Sequence, residues 1–214
     1  MRLLTVGDSF TYGEELSDLT NAWPNLLAKK LECELTNLAR PGGGNTRMVR
    51  HCVEQVNTYD FAIIAWSHFA RIEMADDIGF YDLWPGCSEL PHQQFSPWRG
   101  ELIKYFSRHY DDDYLYRQYL LNIILIQNFF KANNKRYLML DTFGNHQTNQ
   151  RTLNSNKDLL NQIDPLYYIG WPEKSMMEWT YGCAKGLYGH FLDEGHKRVA
   201  DKVYEHIRNL GWLP

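Results

Sequence analysis

The run Phe61-Ala62-Ile63-Ile64-Ala65-Trp66 constrains the fold of this chain more than any other feature. Six consecutive apolar residues following Tyr59-Asp60 mark a strand covered on both faces, the environment found inside a parallel sheet. The segments around it alternate between two periods. Residues 3–6 read as a first strand. Residues 22–31 read as a helix, with Asn21 as its cap, Pro24 in its first turn and Leu26, Leu27 and Leu31 on one face. Residues 35–38 are expected to form a second strand, and Asn45 to open a helix in which Met48, Val49, Cys52, Val53 and Val56 recur at helical spacing. A long helix over 113–133, a strand over 136–141 and a final helix over 193–210 complete the pattern. Strands alternating with helices predict an α/β fold, a three-layer α/β/α doubly wound parallel sheet. The 214 residues suit one domain spanning 1–214. Two spans without regular patterning, about 67–112 and 143–189, are expected as irregular insertions, which usually carry function or short elements of their own.

The tripeptide Gly7-Asp8-Ser9 leaves the first strand and runs into Phe10-Thr11-Tyr12-Gly13. A serine hydroxyl becomes a useful nucleophile only at an exposed point, beside a base and near donors that receive negative charge. Glycine permits the sharp exit from the strand, aspartate can hydrogen-bond within the turn, and the serine is left at the carboxyl end of the strand, where open α/β sheets bind ligands. The other reading of these three residues is a strand-to-loop turn. The loops after the first three strands are expected to meet over the same edge, bringing together Ser9, Gly42-Gly43-Gly44 and Ser67-His68. No Gly-Lys-Ser/Thr follows the glycines, so they do not form a nucleotide P-loop.

These residues resemble the SGNH (GDSL-type) hydrolases, whose first block reads Gly-Asp-Ser-x-x-x-Gly, as Gly7, Asp8, Ser9 and Gly13 do. The resemblance implies a flavodoxin-like fold and a serine esterase that needs no cofactor and acts on small acyl esters, including O-acetyl groups on carbohydrate. The loop from Asn37 to Asn45 resembles the second block and implies Gly42 as an oxyanion-hole amide beside that of Ser9. The third block, Gly-x-Asn-Asp, is absent, and Trp66-Ser67-His68-Phe69 stands in its place. His68, or alternatively Ser67, then takes over the donor role of the missing asparagine. In the family the catalytic histidine precedes the last helix, with a glycine five residues later and an alanine ten later. His190 has both, Gly195 and Ala200. The literal Asp-x-x-His search finds Asp193 and His196, which leaves His196 as the alternative base. Position 187, three before His190, is leucine, so the acid must come from elsewhere: Asp193 or Glu178, or from none if Ser9 and His190 act as a dyad. The spacing of His190, Asp193 and His196 matches no familiar zinc signature, and no metal is expected.

A net charge of −4 and the lack of any long basic run argue against a nucleic-acid partner. No apolar signal region or stretch of 18 apolar residues occurs, so the expectation is a soluble cytoplasmic protein without a membrane partner. Cys33, Cys52, Cys87 and Cys183 lie far apart without Cys-x-x-Cys spacing and read as free thiols. Seven Trp and fourteen Tyr provide either a large core or a stacking surface. Trp84, Trp98 and Trp171 are candidates for a substrate wall within the irregular spans. The alternative to an esterase is an inactive binding or assembly module on the same fold.

Overall fold

A computed structural model describes residues 1–77, 79–85, 87, 97–145 and 148–212, the side chains of 97 and 98 excepted. In chain order it contains β1 (Arg2–Val6), α1 (Ser9–Tyr12), α2 (Trp23–Leu31), β2 (Glu34–Asn37), α3 (Asn45–Glu54), β3 (Phe61–Trp66), β4 (Ile72–Asp76) and β5 (Gly79–Leu83). There follow α4 (Pro97–His109), α5 (Asp112–Ala132), β6 (Arg136–Asp141), α6 (Gln150–Ser155), α7 (Lys157–Leu160), β7 (Tyr168–Ile169), α8 (Met176–Trp179) and α9 (Asp193–Asn209). The main sheet runs β2-β1-β3-β6-β7 with every pairing parallel. This is the doubly wound arrangement that the alternating pattern predicts.

The continuous apolar run of β3 has a direct physical reason. Successive strand residues point to opposite faces, and both faces are covered. Ala62, Ile64 and Trp66 join Leu4, Val6 and Met139 against Met48 and Cys52 of α3 and Tyr116, Tyr119 and Ile123 of α5. Phe61, Ile63 and Ala65 join Leu3, Leu138 and Leu140 against Trp23 and Leu27 of α2 and Val199, Val203 and Ile207 of α9. Burying a side chain of this size stabilises by roughly 1.5–3 kcal/mol, so the two alternating sets hold the strand at one register.

The irregular spans carry more structure than their composition suggests. The first contains the antiparallel hairpin β4–β5 and the helix α4. The second contains α6, α7, α8 and the short edge strand β7, paired to β6 through Met139↔Tyr168 and Leu140↔Ile169. A two-residue strand is too short to show a period, which is why pattern reading passes over it. One cap also differs from expectation. Ala22 caps α2 without a side-chain bond, and Asn21 instead donates through Nδ2 to Asp193 Oδ1 (2.8 Å). Asp193 is the first residue of α9, and Leu192 occupies the cap.

Candidate active site

β1 lies inside the sheet, so its exit points at the edge where β2, β3 and β6 also end. Asp8 turns the chain there. Its Oδ1 accepts from Phe10 N (3.1 Å) and its carbonyl from Tyr12 N (2.9 Å), which caps α1 and makes Ser9 the first residue of that turn. The Asp8 carboxylate is fully buried. Desolvation pushes its pKa up, opposed by the Arg71 guanidinium and by hydrogen bonds from Ser67 and Phe10. Ser67 Oγ donates to Asp8 Oδ2 (2.7 Å). That bond spends the Ser67 hydroxyl proton on the turn that carries Ser9, away from the oxyanion position given to Ser67 as an alternative.

The C-terminal loop brings His190 to Ser9. His190 Nε2 lies 2.9 Å from Ser9 Oγ, and its Nδ1 lies 2.8 Å from Glu15 Oε2. A carboxylate only accepts, so Nδ1 carries the proton, Nε2 is the acceptor and the serine hydroxyl donates to it. Glu15 also receives the backbone amides of Tyr188 (Oε1, 2.8 Å) and His190 (Oε2, 3.1 Å). Partial burial raises the Glu15 pKa, but the bonds from Tyr188 and His190 together outweigh it and leave the carboxyl below its usual range. Phe10 packs on the imidazole (centroids 4.6 Å apart) and on Phe191 (5.1 Å), which fixes the ring plane.

The carboxylate that meets the His190 ring is thus neither Asp193 nor Glu178. Asp193 is held by Asn21 at the start of α9. Glu178 closes a capping box with Ser175 in α8. His196, the alternative base, is fully buried, and its Nδ1 accepts from Trp23 N (3.2 Å). Desolvation, opposed by Asp193 and reinforced by His190, depresses its pKa to about 4. It is a neutral packing residue between α2 and α9. Sequence reasoning missed Glu15, whose only local signal is the acidic pair Glu14-Glu15 two residues beyond Tyr12. Glu14 Oε2 stands 3.5 Å from His190 Nε2.

The glycine loop separates into distinct roles. Gly43 N donates to Arg40 O (2.9 Å) and Gly44 N to Asp82 Oδ1 (2.8 Å). Among the described residues, the amides of Gly42 and Ser9 have no intramolecular acceptor. Gly42 has φ +75°, a left-handed conformation, and a Cβ there would come within 2.9 Å of the Trp84 ring. Asn45 ties the loop to the end of β3, accepting from Ser67 N (3.0 Å) and donating to His68 O (3.0 Å). His68 Nδ1 accepts from Ala70 N (3.2 Å), so the neutral ring carries its proton on Nε2. Desolvation and the Arg71 charge, partly offset by Asp112, lower its pKa and favour that neutral form.

Beside Gly42 opens a cavity of about 380 Å³ lined by His68, Arg71, Trp84, Tyr110, Asp112 and Phe143, among others. Trp84 is one of the residues lining this cavity. Trp171 packs on Tyr168 (4.7 Å) at the margin of the core. The Trp98 side chain lies outside the described residues. No group of three or more His, Cys, Asp and Glu among the described residues is placed to hold a metal ion, and no described helix is long and apolar enough to cross a membrane.

Comparison with solved structures shows an SGNH-type fold. The chain is similar to TesA (TM-score 0.60, 14% identity, 98% of this chain and 99% of that one). It is similar to a psychrotrophic esterase, EstA from Pseudoalteromonas sp., in a structure inhibited by monoethylphosphonate (TM-score 0.57, 12% identity, 98% and 97%). It is also similar to a family two carbohydrate esterase from Clostridium thermocellum in complex with cellohexaose (TM-score 0.56, 13% identity, 99% and 65%). No curated protein matches it. The Family of unknown function (DUF6071) matches residues 12–214, and the chain belongs to that family.

Proposed function

With membership of that family and an SGNH-type fold as the premise, we propose that the chain is a serine hydrolase of small acyl esters, working through Ser9, His190 and Glu15. The observation that carries this reading is the unbroken relay from Ser9 Oγ to His190 Nε2 (2.9 Å) and from His190 Nδ1 to Glu15 Oε2 (2.8 Å). A half-buried imidazole with a carboxylate on one nitrogen and a serine hydroxyl on the other is the arrangement that activates the hydroxyl.

In this reading Ser9 Oγ attacks the ester carbonyl while His190 Nε2 takes its proton. Glu15 holds the Nδ1 proton and stabilises the imidazolium. Negative charge on the carbonyl oxygen is received by the amides of Ser9 and Gly42, with His68 Nε2–H as a third donor, each such donor contributing roughly 10²–10³ in rate. His190 then gives its proton to the leaving alcohol and activates the water that releases the acid. No cofactor takes part. The open cavity beside Gly42, the Trp84 wall and the carbohydrate-esterase neighbours support O-acetyl groups on carbohydrate as the substrate.

A fluorophosphonate probe tests the reading, with mass spectrometry locating the adduct. Labelling is expected on Ser9, lost in His190→Ala and retained in Asp193→Asn, together with turnover of 4-nitrophenyl acetate. A folded protein that neither labels nor turns over is a binding module.

A further inference from the structure

Arg71 is the one cation that lines the cavity beside Gly42 among its described residues. Its guanidinium carbon sits 5.3 Å from the Trp84 ring centroid and 5.3 Å from that of Phe143. Contacts of this kind occupy the faces of the guanidinium and leave its N–H groups directed outward in the plane. Among the described residues the Arg71 side chain makes no hydrogen bond, and its Nη1 is buried on the side that faces Asp8. Asp8 Oδ2 is 3.7 Å from it, an ion pair beyond hydrogen-bond length. Asp8 is already satisfied by Ser67, Phe10 and Thr142. A mere counter-ion for Asp8 would not require two aromatic walls and an open cavity in front of it. His68 and Tyr110 line the same space.

We propose that this cavity recognises a carboxylate on the substrate, gripped by Arg71, so that the preferred esters are anionic ones. The inference rests on the hydrolase reading and deepens it by naming the substrate class. A planar carboxylate matches the guanidinium fork, and a charge-assisted pair in a partly enclosed site gives a preference of roughly ten- to a hundredfold over the neutral analogue. Three acidic groups oppose it. Asp8 lies 3.7 Å behind the guanidinium, Asp112 lines the cavity from its exposed position at the start of α5, and Glu14 faces His190 from the other side. Removing the Asp112 charge therefore strengthens the preference.

The experiment measures kcat/KM for two matched pairs: 4-nitrophenyl hydrogen succinate against 4-nitrophenyl butyrate for a carboxylate in the acyl half, and 4-acetoxybenzoate against 4-acetoxybenzamide for one in the alcohol half. One pair is expected to favour the acid about ten- to a hundredfold, with that ratio reduced in Arg71→Lys, abolished in Arg71→Met and increased in Asp112→Asn. Reading a ratio within each variant separates charge recognition from general damage, and Arg71→Lys keeps the charge near Asp8 if Arg71→Met does not fold. Ser9 labelling with no preference in either pair leaves the hydrolase reading standing and overturns this one. Calorimetry with 4-acetamidobenzoate and with succinate needs no turnover. Binding of either that is weakened in Arg71→Lys supports the proposal. Binding of both no tighter than that of their amides overturns it, whether or not any ester is cleaved.

Discussion

Glu15 gathers the Tyr188 amide, the His190 amide and the His190 ring onto a single carboxylate. Glu15→Gln leaves the side chain nearly the same size but removes the charge that holds the imidazole in its working tautomer. kcat/KM for 4-nitrophenyl acetate is expected to fall roughly a thousandfold, while Asp193→Asn changes it less than about threefold, since surface substitutions of this kind cost little. Equal losses in the two would remove Glu15 from the relay. Its pKa shift also has a thermodynamic sign. Because the folded value lies below the unfolded one, the stabilisation by ionised Glu15 is complete above the ordinary carboxylate range and fades as pH falls through the depressed value. The stability gap between wild type and Glu15→Gln in urea should therefore narrow on acidification. Gly42 is the second residue on which the site turns. Gly42→Ala puts a Cβ at φ +75° and 2.9 Å from the Trp84 ring, and moving the loop withdraws its amide. A loss of roughly 10²–10³ in kcat, with little change in KM, is expected for a donor that acts in the transition state.

At the scale of elements, the loop before α9 carries His190, and Gly195 sets how closely that loop approaches the helix. A Cβ at Gly195 would lie 2.6 Å from Phe191 Cβ, a clash with the stem of the side chain that no rotamer relieves. Phe191 in turn packs against Phe10 next to the imidazole. Gly195→Ala is expected to cost about 1–3 kcal/mol by overpacking, lowering Tm by several degrees, and to slow turnover because His190 moves with Phe191. An unchanged Tm would mean that the loop and helix part without cost. The helices α2, α3, α5 and α9 were legible in the sequence because each has an apolar stripe, as in α5, where Tyr116, Tyr119, Leu120 and Ile123 recur along one side. The hairpin β4–β5 was not legible. Its burial is mostly partial along β4 and mixed along β5, and a strand without clean alternation gives no period to read.

For the whole molecule, His196 links pH to stability. Buried between α2 and α9 with its pKa pushed down to about 4, it refuses a proton that the unfolded chain accepts near the ordinary value of 6.5. The unfolded state binds more protons in that interval, so stability falls as pH drops from about 6.5 to about 4 and levels off below, by roughly 3 kcal/mol in total. Asp8 and Asp82 have raised values and act in the opposite direction, so the difference between wild type and His196→Gln isolates the histidine. Urea titrations at pH 7.5 and 4.5 should show a smaller pH dependence in the variant. Identical dependence in both proteins would show that His196 is not the group responsible.

The positions of β1, β2, β3 and β6 and of α2, α3, α5 and α9, with the layer order they imply, were readable from the chain because each rests on local chemistry: apolar period, turn residues, or spacing within one short segment. Tertiary structure alone decided which acid meets His190, which of the three glycine amides stays free and what faces the cavity. The Glu15–His190 bond joins residues 175 positions apart. It exists because two loops cross the same sheet edge, and no spacing along the chain records where separate loops converge. Asp193 and His196 illustrate the converse. Their spacing looks catalytic, but packing assigns Asp193 to Asn21 and His196 to the Trp23 amide, because a helix that buries one face against the sheet leaves its first turn no freedom to reach the serine.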